Sequence, residues 1–160
     1  MFDSINHVFQ QRQEEFLFLG KIYKDQKMDF GKWYDDFFKS GGFEKLAPYR
    51  KNENDCLESV HVMLSDYWNV GIGVIAGNIS EAPEEFELKK YPAGEFLVIS
   101  SDWKTTNEEA HKSLDQFDPK YKQMPCGYVE DTATYICIEK FYECSEKGHR
   151  WERWYPIKKQ

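Results

Sequence analysis

Apolar and polar positions alternate along the chain in a pattern that predicts short strands interrupted by two helices. Glu15 to Lys24 (EFLFLGKIYK) is rich in aromatic and branched residues and reads as a strand, with Gly20 marking a bulge. Phe30, Trp33, Tyr34, Phe37 and Phe38 recur at helical spacing and set five rings on one face; Asp29 is the expected N-cap and Gly41-Gly42 the stop. From Leu57 to Leu64, Val60, Val62 and Leu64 alternate with Ser59, His61 and Met63, and Tyr67 to Ala76 follows as the hairpin partner. Pro83 opens an extended segment, Phe86 to Lys90, and Pro92-Ala93-Gly94 separates it from a strand over Glu95 to Ser101. Ala110, Leu114 and Phe117 predict a second, shorter helix over Thr105 to Phe117, capped at Thr105 or Thr106 with Glu108 and Glu109 near its N-terminus. Thr134 to Glu143 and Arg150 to Lys158 read as two last strands around a turn, Cys144 to His149, that contains Gly148.

In order, this is strand, helix, strand, strand, a connecting strand, then strand, helix, strand, strand. The halves match in outline: FLFLGKIYK from Phe16 aligns with FLVISSDWK from Phe96, and Trp68, Ile72 and Val74 align with Trp151, Tyr155 and Ile157. A duplicated α+β fold is therefore expected, an antiparallel sheet carrying two helices on one face with a groove between them. Alternation through Trp151, Trp154 and Tyr155 implies that at least one of these tryptophans lies outside the core, where it can form a dimer contact.

Composition sharpens this picture. A length of 160 residues suits one domain spanning 1–160, large enough to bury a core without metal or disulfide support. Aromatic residues make up 17% of the chain, more than a small core requires, so surplus rings are available to line the groove. The net charge of -7 and the interspersed basic residues argue against direct nucleic acid binding and favour cationic partners. No signal-peptide pattern opens the sequence and no apolar run is long enough for a bilayer, so a cytoplasmic location and no membrane association are expected. Cys56, Cys126, Cys137 and Cys144 form no CxxC pair and read as reduced packing residues. Together with His149 their spacing matches no usual zinc pattern, and neither a metal nor a cofactor is expected. His7, His61, His111 and His149 are scattered, and no nucleophile or phosphate-binding motif is present.

The stretch PEEFELKKYPAGEFLVI, Pro83 to Ile99, resembles the GyrI-like and AraC-type effector-binding family, in which a Pro, a Phe-Glu pair and a Pro-Ala-Gly turn precede an aromatic strand. Trp33 in the first helix, YWNVGIGV, the Glu139-Lys140-Phe141 segment and the terminal WERWYPIKK follow the family's order, so the resemblance covers nearly the whole chain. It implies a free-standing receptor for small hydrophobic or cationic aromatic ligands, with a carboxylate inside an aromatic cage. By strand parity Glu139 shares a face with Tyr135, Cys137 and Phe141, which makes it the candidate anionic anchor. Trp33, Phe37, Trp68, Phe141, Trp151 and Tyr155 are the candidate aromatic wall. Rings attract a cation by their quadrupole and the carboxylate by its charge, and neither demands strict geometry, so broad specificity toward amphipathic cations is expected.

Each of these residues also has a plainer reading: a ring as ordinary core, Glu139 as a solvated strand residue. Two further functions remain open at this level. Some GyrI-like proteins resemble hydrolases that open cyclopropane rings of genotoxic compounds, in which case Glu139 is the acid-base residue. Others modulate gyrase through protein contacts, for which the acidic run Glu81, Glu84, Glu85 and Glu87 is the candidate surface. The expected oligomeric state is a monomer or a weak homodimer. The second helix region carries fewer apolar residues than the first and is cut by Pro119, so one wall of the groove is expected to be short or open.

Overall fold

The computed structural model describes residues 7–24, 29–51, 56–64, 69–118 and 124–160. Within them the predicted alternation becomes a nine-stranded antiparallel sheet. The strands are β1 (Val8–Gln13), β2 (Phe16–Tyr23), β3 (Leu57–Leu64), β4 (Val70–Ala76), β5 (Glu87–Tyr91), β6 (Gly94–Ser100), β7 (Tyr128–Glu130), β8 (Tyr135–Cys144) and β9 (Gly148–Lys159). Three helices accompany them: α1 (Phe30–Lys39), α2 (Gly42–Leu46) and α3 (Asn107–Phe117).

Strand order is β1-β6-β9-β8-β3-β4-β2-β5, with β7 added to β9. Its centre is symmetric, because β2, α1, β3 and β4 form one unit, β6, α3, β8 and β9 form another, and the two join where β3 pairs with β8. The separation that matches Phe16 to Phe96 also matches Val60 to Lys140, and these two residues face each other across that seam. The pseudo-twofold axis passes there. Ladder registers correct one detail of the sequence alignment: Leu17 faces Ala76 and Leu97 faces Tyr155, so Tyr155 corresponds to Ala76, not to Ile72.

Helix starts follow their caps. Asp29 accepts a hydrogen bond from the Lys32 amide (3.2 Å) and Thr106 accepts one from the Glu109 amide (3.2 Å), which occupies backbone donors that the first turn leaves free. Gly41, at φ 73°, turns the chain from α1 into α2, which sequence reading had merged into a stop. Trp33 and Phe37 bury against Leu19, Val70, Ile72 and Val74, while Ala110 and Leu114 bury against Leu97, Ile99 and Ile157. Phe38 departs from the expected ring face and is 59% exposed, because it lies at the edge of the helical stripe beyond reach of the sheet.

The opposite face of the sheet is also core. Phe18, Val60, Val62, Phe96, Val98, Ile138 and Trp154 pack there, and Tyr91 from the end strand β5 reaches Tyr135 of the central strand β8 (5.7 Å between ring centroids), so the sheet curls over this face. This overturns the expectation of an exposed tryptophan. Trp151 and Trp154 point to opposite faces, yet both are buried because both faces are closed.

Three further expectations are corrected. Gly20 is not a bulge: the β2–β4 ladder runs through it without a register shift, opposite Gly73, and the two backbones approach so closely that neither position has room for a Cβ. Tyr135 does not share the face of Glu139, because a register slip between Met63 and Leu64 rotates it to the other side, where it stacks on Phe96. Cys56 and Cys144 are joined in a disulfide, since β3 begins where β8 ends, while Cys126 and Cys137 are free thiols. β1, β7 and α2 have no counterpart in the sequence reading; they are short, and β1 is polar and lies at the sheet edge. Among the described residues no helix is long and apolar enough to cross a membrane.

Candidate ligand-binding groove

One cross-strand row on the helix-bearing face shows how the groove arises. Ile99, Arg153, Glu139, His61 and Ile72 lie opposite one another in turn across β6, β9, β8, β3 and β4. Its ends are apolar and covered by α3 and α1; its centre is polar and sits where the two helices part. There Phe30 and Tyr34 of α1, Asn107 and His111 of α3, and His61, Glu139 and Trp151 of the sheet line a cavity of about 130 Å³.

Aromatic rings enclose most of it. The His61 ring lies 5.3 Å from Phe30, 5.5 Å from Tyr34 and 5.4 Å from Trp151, and His111 stands edge-on to Trp151 at 5.5 Å. Trp151 is fixed from two sides: its indole N–H donates to Asn107 Oδ1 (2.6 Å), and its backbone N–H donates to Ser101 Oγ (3.0 Å). Burial, with the Glu143 carboxylate adding to it, raises the pKa of Tyr34 and keeps the phenol protonated.

Negative charge gathers beneath the rings. Glu139 is only 5% exposed, and its Oε2 lies 3.4 Å from Arg153 Nη2 and 4.0 Å from His111 Nε2. Arg153 is shared, since it also donates to Asp118 (2.6 Å) and Asp115 (3.3 Å). Three carboxylates thus face one guanidinium, and the surplus is anionic. Burial works against the Arg153 charge, but Glu139 and Asp118 outweigh it and hold its pKa above the usual value. Glu152, a second buried carboxylate, is on the other face and fully engaged, accepting from Tyr142 (2.6 Å) and Trp154 (3.2 Å) and pairing with Arg150 (3.5 Å).

His61 is the most unusual side chain in the cavity wall. It is 1% exposed and neither ring nitrogen has a hydrogen-bond partner. Burial, with His111 contributing, lowers its pKa to about 3, so the imidazole is neutral. Among the described residues no group of three His, Cys, Asp or Glu side chains is placed to share a metal ion. Two larger depressions, of about 380 and 630 Å³, are open and have mixed linings, the first including Glu14, Phe16, Ile75 and Lys90 and the second Trp103, Glu109, Glu146 and Lys147.

Of the residues singled out from sequence, Glu139 and Trp151 meet in this cavity. Trp33 and Phe37 lie in the core under α1, and Phe141 and Tyr155 in the core under α3, where Tyr155 donates to Asp118 (2.7 Å). Trp68 lies outside the described residues. Sequence reading did not assign Phe30, Tyr34, His61, Asn107 or His111 to the site. Phe30 and Tyr34 stood on the predicted ring face, which was a usable signal; nothing in the sequence pairs His61 with Glu139. The acids Glu81, Glu84, Glu85 and Glu87 are exposed, and Glu85 pairs with Lys45 (3.2 Å).

The fold is that of an α+β domain with a curled antiparallel sheet and a helix-flanked groove. No family model matches the chain, and no curated protein matches it. Solved structures do. A putative bacterial transcription regulation protein from Staphylococcus aureus is 11% identical, with TM-score 0.58 over 94% of this chain and 97% of that one. The structure of SAV2435 bound to tetraphenylphosphonium is 12% identical, with TM-score 0.62 over 94% and 93%. The C-terminal domain of EcmrR is 12% identical, with TM-score 0.60 over 98% and 100%. The chain therefore shares the fold of these three proteins.

Proposed function

We propose that this chain is a GyrI-like effector-binding domain whose groove receives hydrophobic or aromatic cations. The observation that carries this reading is the buried Glu139 at the floor of an aromatic cavity on the pseudo-twofold axis. Ring faces and a surplus of carboxylates both favour a cation, by roughly 0.5 to 2 kcal/mol per desolvated cation–π contact and by the charge term in addition. The fold relative SAV2435 bound to tetraphenylphosphonium supports a ligand of this chemistry.

In this proposal residues 1–160 act as one binding domain, a sensor or sequestering module of the cytoplasm, as a monomer or weak homodimer. Nucleic acid is not touched directly, since the net charge of -7 opposes phosphate binding. Titrating cationic dyes and neutral analogues of the same shape while following tryptophan fluorescence tests the reading, because Trp151 lines the cavity. Saturable, cation-selective quenching with every compound recovered intact is the expected result. Equal response to neutral analogues overturns the charge argument. Chemical conversion of a bound compound reassigns Glu139 as the acid-base residue of a hydrolase.

A further inference from the structure

Glu139 explains why a cation would enter, and it leaves His61 unexplained. An imidazole with both nitrogens buried and unpartnered costs about 1–3 kcal/mol per unmade hydrogen bond, and a packing role alone would be met better by Phe or Leu. His61 is at the centre of the site: it faces Glu139 across the β3–β8 seam and is enclosed by Phe30, Tyr34 and Trp151, which line the same cavity. Two of the polar groups that line the same cavity are already engaged. Asn107 accepts from the Trp151 indole, and Glu139 is engaged by Arg153.

Cavity size narrows the ligand further. About 130 Å³ matches the space that holds one benzene-sized ring, so a ligand head of that size fits between the rings. We propose that His61 is a specificity-determining residue that accepts a hydrogen bond from the ligand, and that the preferred ligand head is a planar, single-ring cation bearing N–H groups, of the aryl-amidinium class. One N–H would reach His61 and another Glu139, so the two residues read hydrogen-bond donors and charge together. The neutral state of the imidazole, which its burial enforces, leaves one ring nitrogen free to accept. An onium ion without N–H can satisfy Glu139 but not His61. This inference rests on the receptor reading above and adds a donor requirement to it.

Three probes of similar size separate the terms: benzamidinium has charge and N–H, phenyltrimethylammonium has charge alone, and benzamide has N–H alone. Binding of each is measured calorimetrically to the unaltered chain and to His61→Phe, which keeps a ring of similar volume and removes both nitrogens. The expected result is a preference of at least about five- to tenfold for benzamidinium over phenyltrimethylammonium in the unaltered chain, of which the His61 contact supplies the value of one good hydrogen bond. In His61→Phe that preference should fall by about five- to tenfold, to what the Glu139 contact alone gives, while phenyltrimethylammonium binds as before. A preference that is undiminished in His61→Phe assigns the donor reading to Glu139 alone and overturns the inference, as does the absence of any preference in the unaltered chain. Both results leave the cation receptor standing. Failure of both cations to bind overturns the receptor reading and this inference with it.

Discussion

Replacing Glu139 with Gln removes one charge at the cavity floor and keeps the side-chain shape. A ligand cation seated about 4 Å from the carboxylate gains about 4 kcal/mol at an effective dielectric constant near 20. Arg153 lies on the carboxylate at 3.4 Å, so its guanidinium is roughly 7 Å from that cation and returns about 2 kcal/mol as repulsion. That repulsion is the same in Glu139→Gln, so the substitution removes the whole carboxylate attraction, about 4 kcal/mol at most, or up to about a thousandfold in affinity. The fold should persist, because Arg153 keeps Asp118 and Asp115 as partners. Isothermal titration at low salt, with benzamidinium as the cation and benzamide as the neutral match, reads the effect, and a thermal melt confirms folding. The cation should weaken by up to about a thousandfold and the neutral compound by less than about threefold. An equal loss for both would mean that Glu139 shapes the cavity and does not supply charge.

Other outcomes follow from the same geometry. The folded-state pKa of His61 is near 3 and the unfolded value near 6.5, so the folded form binds fewer protons between those limits; the stability this site confers is full above about pH 6.5 and is lost as pH falls toward 3, by up to about 1.4 kcal/mol per pH unit. Denaturant titrations should therefore show His61→Phe gaining on the unaltered chain as pH falls through that window, and parallel curves would refute the assignment. The Cys56–Cys144 link closes a separation of 88 residues, so reductant and Cys56→Ser should each lower stability by up to about 4 kcal/mol and by similar amounts; an unchanged melt would show that the thiols are not joined. A Cβ at Gly20 would lie 2.2 Å from the Ile72 carbonyl oxygen, so Gly20→Ala should cost about 3 kcal/mol, whereas Gly31→Ala on α1, with nothing within 4 Å, should be neutral or stabilising by up to about 1 kcal/mol. Equal effects of the two substitutions would refute the close approach of β2 and β4.

Much of the architecture was legible in the pattern. The five-ring stripe predicted α1 and its Asp29 cap, and the Ser, His, Met alternation of β3 located a strand correctly. What that alternation concealed was that the polar-looking side of β3 is buried too, with Ser59 and His61 each 1% exposed. A central strand in a sheet closed on both faces has no solvated side, and alternation alone does not distinguish it from a half-buried one. The same reason defeats the expectation of one exposed tryptophan: Trp151 and Trp154 do point to opposite faces, and both are buried.

The candidate site divides along the same line. Glu139 and Trp151 stood out locally, as an acid among rings and a tryptophan in a terminal strand. His61 and His111 did not, because their meaning comes from partners far away in sequence: His61 faces Glu139 through the β3–β8 register, and His111 reaches the same carboxylate from α3. A single slipped residue beside Met63 sends Tyr135 to the opposite core, a reversal that parity counting without the partner strand cannot detect. Cys56 and Cys144 likewise meet only because β3 starts where β8 ends. By itself the sequence determined the longer strand and helix segments, their duplicated order and two of the groove's residues, Glu139 and Trp151, since each depends on spacing within one element. Register, curl and the union of the two halves were decided by the tertiary structure, because hydrogen-bonded pairing between distant strands sets which side chains share a face and which of them meet.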